Sequence, residues 1–409
     1  MEQRYTAQER RFLIACFVAY TAAYISRTNL SPALDSIQRA FGLTAARVGL
    51  LPTAFALPYA FGQIVVGFLA DRYRPQRFML VGLMGSAAMN IAFSRASGFG
   101  ALLTLWLLNG VFQSMIWTPL VRVVERYFRD TIRARALFHI SITLIVGYLC
   151  AWALSGFLTA AISWRAAFAT CGTVTAVLAV GSFLAMRGEP EIEAVPRGES
   201  PLKVEKRMPL GMLFLGTDLI WLMIACLMNG YVRDGIMNWA PKLLQETQGI
   251  SLESAVGIAL IIPLVNFTGI ELGRIVYRRT HGLVRNAIAA LLTANVIFEI
   301  LLLLSYRWSG FLCALFLAAC SAMAYGVNPL ITSFLPMEYH SVGRVGFVAG
   351  MVDAIIYLGS ALSGAVTGAL SSRFGWDAAF ASWILCTLAA VGAMVAAIRR
   401  RMKGKYAVQ

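Results

Sequence analysis

Charge is scarce in this chain. Asp, Glu, Lys and Arg make up 13% of its 409 residues, about half the ~25% usual in a soluble domain. Histidine occurs three times, at 139, 281 and 340, in no metal-ligand spacing. No glycine-rich phosphate loop with its lysine is present, so ATP hydrolysis by that device is excluded. None of the seven cysteines (16, 150, 171, 226, 313, 320 and 386) forms a C-x-x-C pair, and all lie in apolar stretches. They read as small apolar residues rather than a redox or metal site. These gaps exclude a soluble globular protein, a disordered chain and a disulfide scaffold. They leave no enzyme, cofactor or metal to expect.

What the chain has is apolar length. Hydrophobic residues make up 59% of it, and the mean hydropathy is +0.70. Uncharged runs at 48–70, 96–121, 166–186, 308–337, 354–372 and 378–398 are each about long enough to cross a ~30 Å hydrocarbon core as helix. Charge clusters and Gly/Pro punctuation divide the sequence into twelve expected helices. They fall near 10–34, 46–70, 77–95, 100–124, 136–160, 165–186, 216–240, 253–276, 285–305, 309–335, 344–370 and 376–397. The charged start, Met1–Arg11, leads into a retained first helix, with no small-residue cleavage site after it. The one long polar stretch, 187–210, reads as a cytoplasmic linker between two six-helix bundles, 1–186 and 211–409.

The two halves resemble each other. Trp164-Arg-Ala-Ala-Phe168 opens the sixth helix and Trp376-Asp-Ala-Ala-Phe380 opens the twelfth, 212 residues later. Tyr24-Ile-Ser-Arg27 with Pro32 beyond it matches Tyr231-Val-Arg233 with Pro241 beyond it, at an offset of about 206. Two matches at nearly one offset indicate a structural repeat. The expected fold is therefore an all-α integral membrane protein with twelve transmembrane helices as two pseudo-symmetric bundles.

Basic residues set the orientation. With the amino terminus in the cytoplasm, twenty-six of the 35 Lys and Arg fall in inside segments and seven in outside ones. The net charge of +15 is thus mostly a topology signal rather than a nucleic-acid footprint, and both termini are expected in the cytoplasm. Two basic residues belong to no loop: Arg27 and Arg233.

A charge at membrane depth costs several kcal/mol and persists mainly where it faces a cavity or a partner. Arg27 and Arg233 occupy matching places in the first and seventh helices. Each offers a planar fork suited to a carboxylate or phosphate, so the pair reads as an anion-binding site. The alternative is neutralisation by a nearby acid, with Asp234 and Asp353 as candidates. Tyr20 and Tyr24 share a helical face with Arg27, and Tyr59 sits in mid-helix 2; each could donate a hydrogen bond to an anion or simply pack. Asp353, Glu271, Glu299 and Asp218 lie in or near membrane depth. Asp353 could carry a proton, pair with Arg233 or hold a cationic part of a zwitterion. Trp117, Pro119, Asn328 and Pro329 interrupt helices 4 and 10 at corresponding places and either bend them around a cavity or kink them.

Gly67-Phe-Leu-Ala-Asp71-Arg72-Tyr-Arg74-Pro-Gln-Arg77 resembles the signature loop of the major facilitator superfamily, with Arg74 where that loop usually has glycine. By resemblance Asp71, Arg72 and Arg77 form a cytoplasmic gate. A closer resemblance, over nearly the whole chain, is to the organophosphate:phosphate antiporters that exchange glycerol-3-phosphate and hexose phosphates. It rests on Tyr20-Thr-Ala-Ala-Tyr24-Ile-Ser-Arg27-Thr-Asn29, Asn109-Gly-Val-Phe-Gln113-Ser-Met-Ile-Trp117-Thr-Pro119-Leu-Val-Arg122, and Tyr231-Val-Arg233-Asp-Gly235-Ile-Met-Asn-Trp239-Ala-Pro241. Tyr357-Leu-Gly359 and Phe374-Gly375-Trp376-Asp377 complete it.

The resemblance implies that Arg27 and Arg233 hold the substrate phosphate, with Tyr20, Tyr24, Tyr59 and Gln63 lining the pocket. Three cationic positions of that family are Thr28, Gln63 and Leu144 here, so a phosphate dianion would meet fewer charges. A singly charged carboxylate or sulfonate needs less positive charge. The expectation is a secondary transporter of a small organic anion, an organophosphate first, in exchange for phosphate. Helix 1 and the Asp71 loop also resemble the anion:cation symporters, which makes proton-coupled symport of a carboxylate or sulfonate the alternative. A non-transporting anion sensor is a third. The partners are the anion, phosphate or a proton, and the lipid bilayer of the cell (inner) membrane, with no nucleic acid; the resemblance implies a monomer.

Overall fold

A computed structural model of the chain describes residues 5–69, 74–187, 208–339 and 345–403. Asp71 and Arg72 of the expected gate, and nearly all of the expected linker, lie outside these residues. The chain divides into two compact units, Met1–Gly42 with Ala54–Pro201 and Leu43–Thr53 with Leu202–Gln409.

All regular structure among the described residues is helical. In chain order the helices are α1 Ala7–Ile25, α2 Leu30–Ala40, α3 Ala45–Val48, α4 Leu50–Leu69, α5 Pro75–Ser94, α6 Phe99–Ser114, α7 Trp117–Tyr127, α8 Asp130–Ser141, α9 Thr143–Ala161 and α10 Trp164–Ala185. They continue as α11 Leu210–Gly216, α12 Leu219–Gln248, α13 Leu252–Ala259, α14 Ile261–Arg279, α15 Val284–Ser305, α16 Gly310–Pro329, α17 Leu335–Met337, α18 Val345–Phe374 and α19 Trp376–Lys403. A π-helical turn, Leu330–Phe334, joins α16 to α17.

Ten helical stretches among the described residues are long and apolar enough to cross a membrane. They correspond to the third through twelfth expected spans. The first, near 10–34, is helical but broken into α1 and α2, and the second, near 46–70, is the four-residue α3 followed by the continuous 20-residue α4. Local chemistry explains the first break. The Ser26 hydroxyl donates to the Ala22 carbonyl and the Thr28 hydroxyl to the Tyr24 carbonyl, which loosens the last turn of α1. Pro32 then lacks the N–H that would have bonded the Thr28 carbonyl. In the first turn of α2 that N–H is not needed. Pro119 and Pro263 likewise sit in the first turns of α7 and α14, just after interruptions at Met115–Ile116 and Leu260.

Each unit packs by its own means. In the second, α14 and α16 approach so closely that a Cβ on Gly269 would lie 2.0 Å from the Ala322 carbonyl oxygen, and one on Gly273 2.3 Å from that of Gly326. Small residues four apart on both helices permit this contact. In the first unit, Phe93 at the end of α5 stacks on Phe168 of α10 at 4.3 Å, with Trp164 and Trp106 edge-on around them. The second unit has an aromatic cluster at the matching place with different ring angles. Tyr306 meets Phe380 edge-on at 5.0 Å, and Trp376 lies tilted 6.3 Å from Phe380, the same separation as Trp164 to Phe168.

Candidate functional site

Arg27 stands in the gap between α1 and α2, half-buried. The gap leaves backbone carbonyls without helical partners, and a burial site cannot leave them bare. Side chains from four other helices supply the donors. Asn90 of α5 and Asn109 of α6 both donate to the Ser26 carbonyl, at 2.9 and 3.0 Å. Gln113 of α6 donates to the Ala23 carbonyl at 2.9 Å and Thr175 of α10 to that of Ala22 at 3.2 Å. Ser155 of α9 donates to the Asn29 carbonyl at 2.7 Å. The donors also hold one another: the Ser86 hydroxyl reaches Asn109 Oδ1 at 2.6 Å, and Asn29 Nδ2 reaches Asn90 Oδ1 at 2.8 Å. Ser26, Asn29, Ser86, Asn90, Asn109 and Ser155 are completely buried. The break is thus a built feature, and it fixes the backbone from which Arg27 projects.

The guanidinium carbon of Arg27 lies over three ring faces, at 4.7 Å from the centre of Tyr59, 5.3 Å from Phe55 and 5.8 Å from Tyr24. Such contacts hold a cation and keep its hydrogen-bonding edges oriented. Tyr20 joins through Tyr24 at 5.2 Å and touches Trp117 at 5.1 Å, and Tyr148 of α9 packs on Tyr24 at 5.3 Å. Gln63, one turn beyond Tyr59, accepts from the Thr118 hydroxyl at 3.1 Å, and its amide nitrogen is buried without a hydrogen-bond partner. Of the expected residues, Arg27, Tyr24 and Tyr59 come together directly, Tyr20 extends the cluster and Gln63 faces α7. Thr28 is engaged with its own helix.

In the second unit Arg233 is buried in the middle of α12, and Asp234 fills its fork. Arg233 Nε donates to Asp234 Oδ1 at 2.7 Å and an Nη to Oδ2 at 2.8 Å. The other Nη donates to Asn328 Oδ1 of α16 at 2.7 Å, and the Tyr325 ring lies 5.8 Å away. Asn328 therefore binds the arginine as well as marking the end of α16. Asp353 is half-buried on α18, one turn before Tyr357. Arg77 is exposed at the start of α5. The remaining deep acids have local partners. Glu271 pairs with Arg274, Asp218 with Arg285 and Tyr339, and Glu299 accepts from Asn295 and Thr387. Among the described residues no cluster of three metal-ligating side chains occurs.

Sequence reasoning missed Phe55, Tyr148 and the donors beneath the helix break. Their signal was present: Ser86 with Asn90, and Asn109 with Gln113, are polar pairs four residues apart in apolar helices and so share a face.

The sequence pattern of the Major Facilitator Superfamily matches residues 16–349. The glycerol-3-phosphate transporter of Bacillus subtilis is 24% identical over 414 residues, covering 96% of this chain and 93% of that protein. The hexuronate transporter of the same organism is 24% identical over 398 residues, covering 90% and 92%. The membrane sensor protein UhpC of Salmonella typhimurium is 23% identical over 421 residues, covering 97% and 92%. Among solved structures, a bacterial homolog of the human lysosomal transporter Spinster, inward-facing and occupied, superposes with a TM-score of 0.78. It is 18% identical, with 98% of this chain and 99% of that one covered, a likeness of fold.

Proposed function

The chain belongs to the Major Facilitator Superfamily, and from that premise we propose that it is a secondary active transporter of a small organic anion, an organophosphate exchanged for phosphate. Arg27 carries the reading: a half-buried guanidinium held over three aromatic faces at a built helix break. Arg233, in the matching place of the second half, supplies the second fork. Tyr20, Tyr24, Tyr59 and Gln63 line the site around the anion. Transport proceeds by alternating access of the halves 1–186 and 211–409, joined by 187–210, in the cell inner membrane with both termini cytoplasmic. Asp71, Arg72 and Arg77 form the cytoplasmic gate, and the protein works as a monomer. The similarity to the glycerol-3-phosphate transporter supports the cargo class.

A second reading is proton-coupled symport of a carboxylate, with Asp353 as the proton carrier. The carboxylate already in the Arg233 fork and the similarity to the hexuronate transporter favour it. The similarity to UhpC supports a third, a sensor that binds the anion without carrying it.

Uptake into proteoliposomes separates the three. Loaded with phosphate and offered labelled sugar phosphates, carboxylates and sulfonates, an exchanger accumulates label only with phosphate inside. A symporter responds to a pH gradient instead, and a sensor binds without uptake. Arg27→Ala is expected to abolish transport with folding intact; normal uptake by that variant sinks the assignment of Arg27.

A further inference from the structure

We infer that Asp234 is a resident counter-ion in the Arg233 fork, which the incoming anion must displace or share, and that it tunes this half of the site to a singly charged head group. The inference rests on reading Arg233 as an anion ligand.

Three observations carry it. First, the Asp234 carboxylate makes two parallel hydrogen bonds, 2.7 and 2.8 Å, to the guanidinium edge that a substrate carboxylate or phosphate would use. Second, helical geometry does not produce this pair, because residues i and i+1 point away from one another on a helix. Both side chains belong to α12, and Asn328, from α16, takes the remaining Nη. Burying two charges is costly. What the pair provides is control over the charge presented to a ligand.

Third, both residues are 8% exposed, so water screens them little. A carboxylate held beside the fork opposes a second negative charge on the ligand roughly twice as strongly as a single one. The side chains around the guanidinium, Tyr325 of α16 and Tyr357 of α18, bring no positive charge to offset it.

Two tetrahedral probes of fixed charge test this without titrating anything: methanesulfonate, a monoanion, and sulfate, a dianion. Their apparent affinities are read at pH 7 from protection of the purified full-length protein against thermal unfolding. Wild-type protein is expected to bind methanesulfonate at least as tightly as sulfate. In Asp234→Asn the sulfate-to-methanesulfonate affinity ratio is expected to rise tenfold or more, and Arg233→Ala is expected to lose protection by both. An unchanged ratio in Asp234→Asn, with binding lost in Arg233→Ala, overturns the role of Asp234 alone. Protection of Arg233→Ala equal to wild type overturns the underlying assignment of Arg233. If Asp234→Asn does not fold, the wild-type ratio decides, and a tenfold preference for sulfate overturns the inference.

Discussion

Asn109 lies in the middle of an apolar helix, where an amide is costly to bury unless it is paired. Its nitrogen donates to the Ser26 carbonyl and its oxygen accepts from Ser86, so both ends are satisfied and both serve the same break in helix 1. Asn109→Ala would strip a donor from Ser26 and an acceptor from Ser86. A drop in stability of about 1–3 kcal/mol is expected, read as a lower unfolding temperature in detergent. Loss of anion protection out of proportion to that drop would show that the break positions Arg27. The arginines were legible from the sequence because a charge in an apolar span is conspicuous. Their surroundings were legible in part: Tyr24 and Tyr59 were expected beside Arg27 and Asp234 was a candidate partner of Arg233, but Phe55 of α4, the third ring over Arg27, was not expected.

Helix ends and helix contacts follow a similar division. The N-terminus of α1 is a capping box, with Thr6 and Glu9 exchanging side-chain to backbone hydrogen bonds at 3.1 and 2.8 Å. Glu9 also pairs with Arg129, at 2.8 Å from its Nε. Burial by itself would raise the Glu9 carboxyl, but the bonds from the Arg129 side chain and the Thr6 and Arg129 amides outweigh it. They hold the group down at about 2, against an ordinary 4.5. A carboxylate lowered in this way stabilises the fold above pH 4.5 and loses that contribution as pH falls from 4.5 toward 2. With Arg129 41% exposed, the contribution is about 1–2 kcal/mol after screening. Glu9→Gln should therefore lower the unfolding temperature at pH 7, with the difference shrinking below pH 4.5 and closing only as pH approaches 2.

The contact between α14 and α16 is less forgiving, because backbone meets backbone there. Gly269→Leu places a side chain where the Ala322 carbonyl already sits, so the helices must separate. The expected result is loss of folded protein on size-exclusion chromatography, or destabilisation of several kcal/mol. A well-folded variant would mean that the helices can part cheaply. Pro119 marked an interruption that could be read in advance, whereas the breaks before Pro32 and Pro263 were not expected and Pro58 and Pro241 sit inside continuous helices. The choice of partner for each glycine face could not be read in advance, since many apolar helices offer small residues four apart.

The repeat is the property of the whole chain that sequence and packing express in the same residues. Trp164 and Phe168, Trp376 and Phe380 open α10 and α19 at equal ring separations, each pair capping an aromatic end to the helix packed beside it. Corresponding corners use charge differently, with Glu9 and Arg129 in the first unit and Asp218, Arg285, Glu338 and Arg401 in the second. The orientation expected from the placing of basic residues makes a prediction about the membrane. In intact cells, a cysteine in place of Arg307 should react with an impermeant maleimide, whereas one in place of Arg197 should react only after the membrane is opened. The reverse labelling would invert the topology.

Apolar length and the internal repeat determined the class and the placing of the helical spans, except for the break in the first, and they singled out the two arginines as charges within apolar spans. Each is a property of residue type along a line, and the bilayer reads it directly, because transfer free energy depends on composition and length. Tertiary structure decided which carbonyls the buried amides cap, that Phe55 joins Tyr24 and Tyr59 over Arg27, and that Asp234, one of two candidate acids, sits in the Arg233 fork. Those outcomes depend on angles and on distances of a few tenths of an ångström, which hydropathy and spacing do not fix.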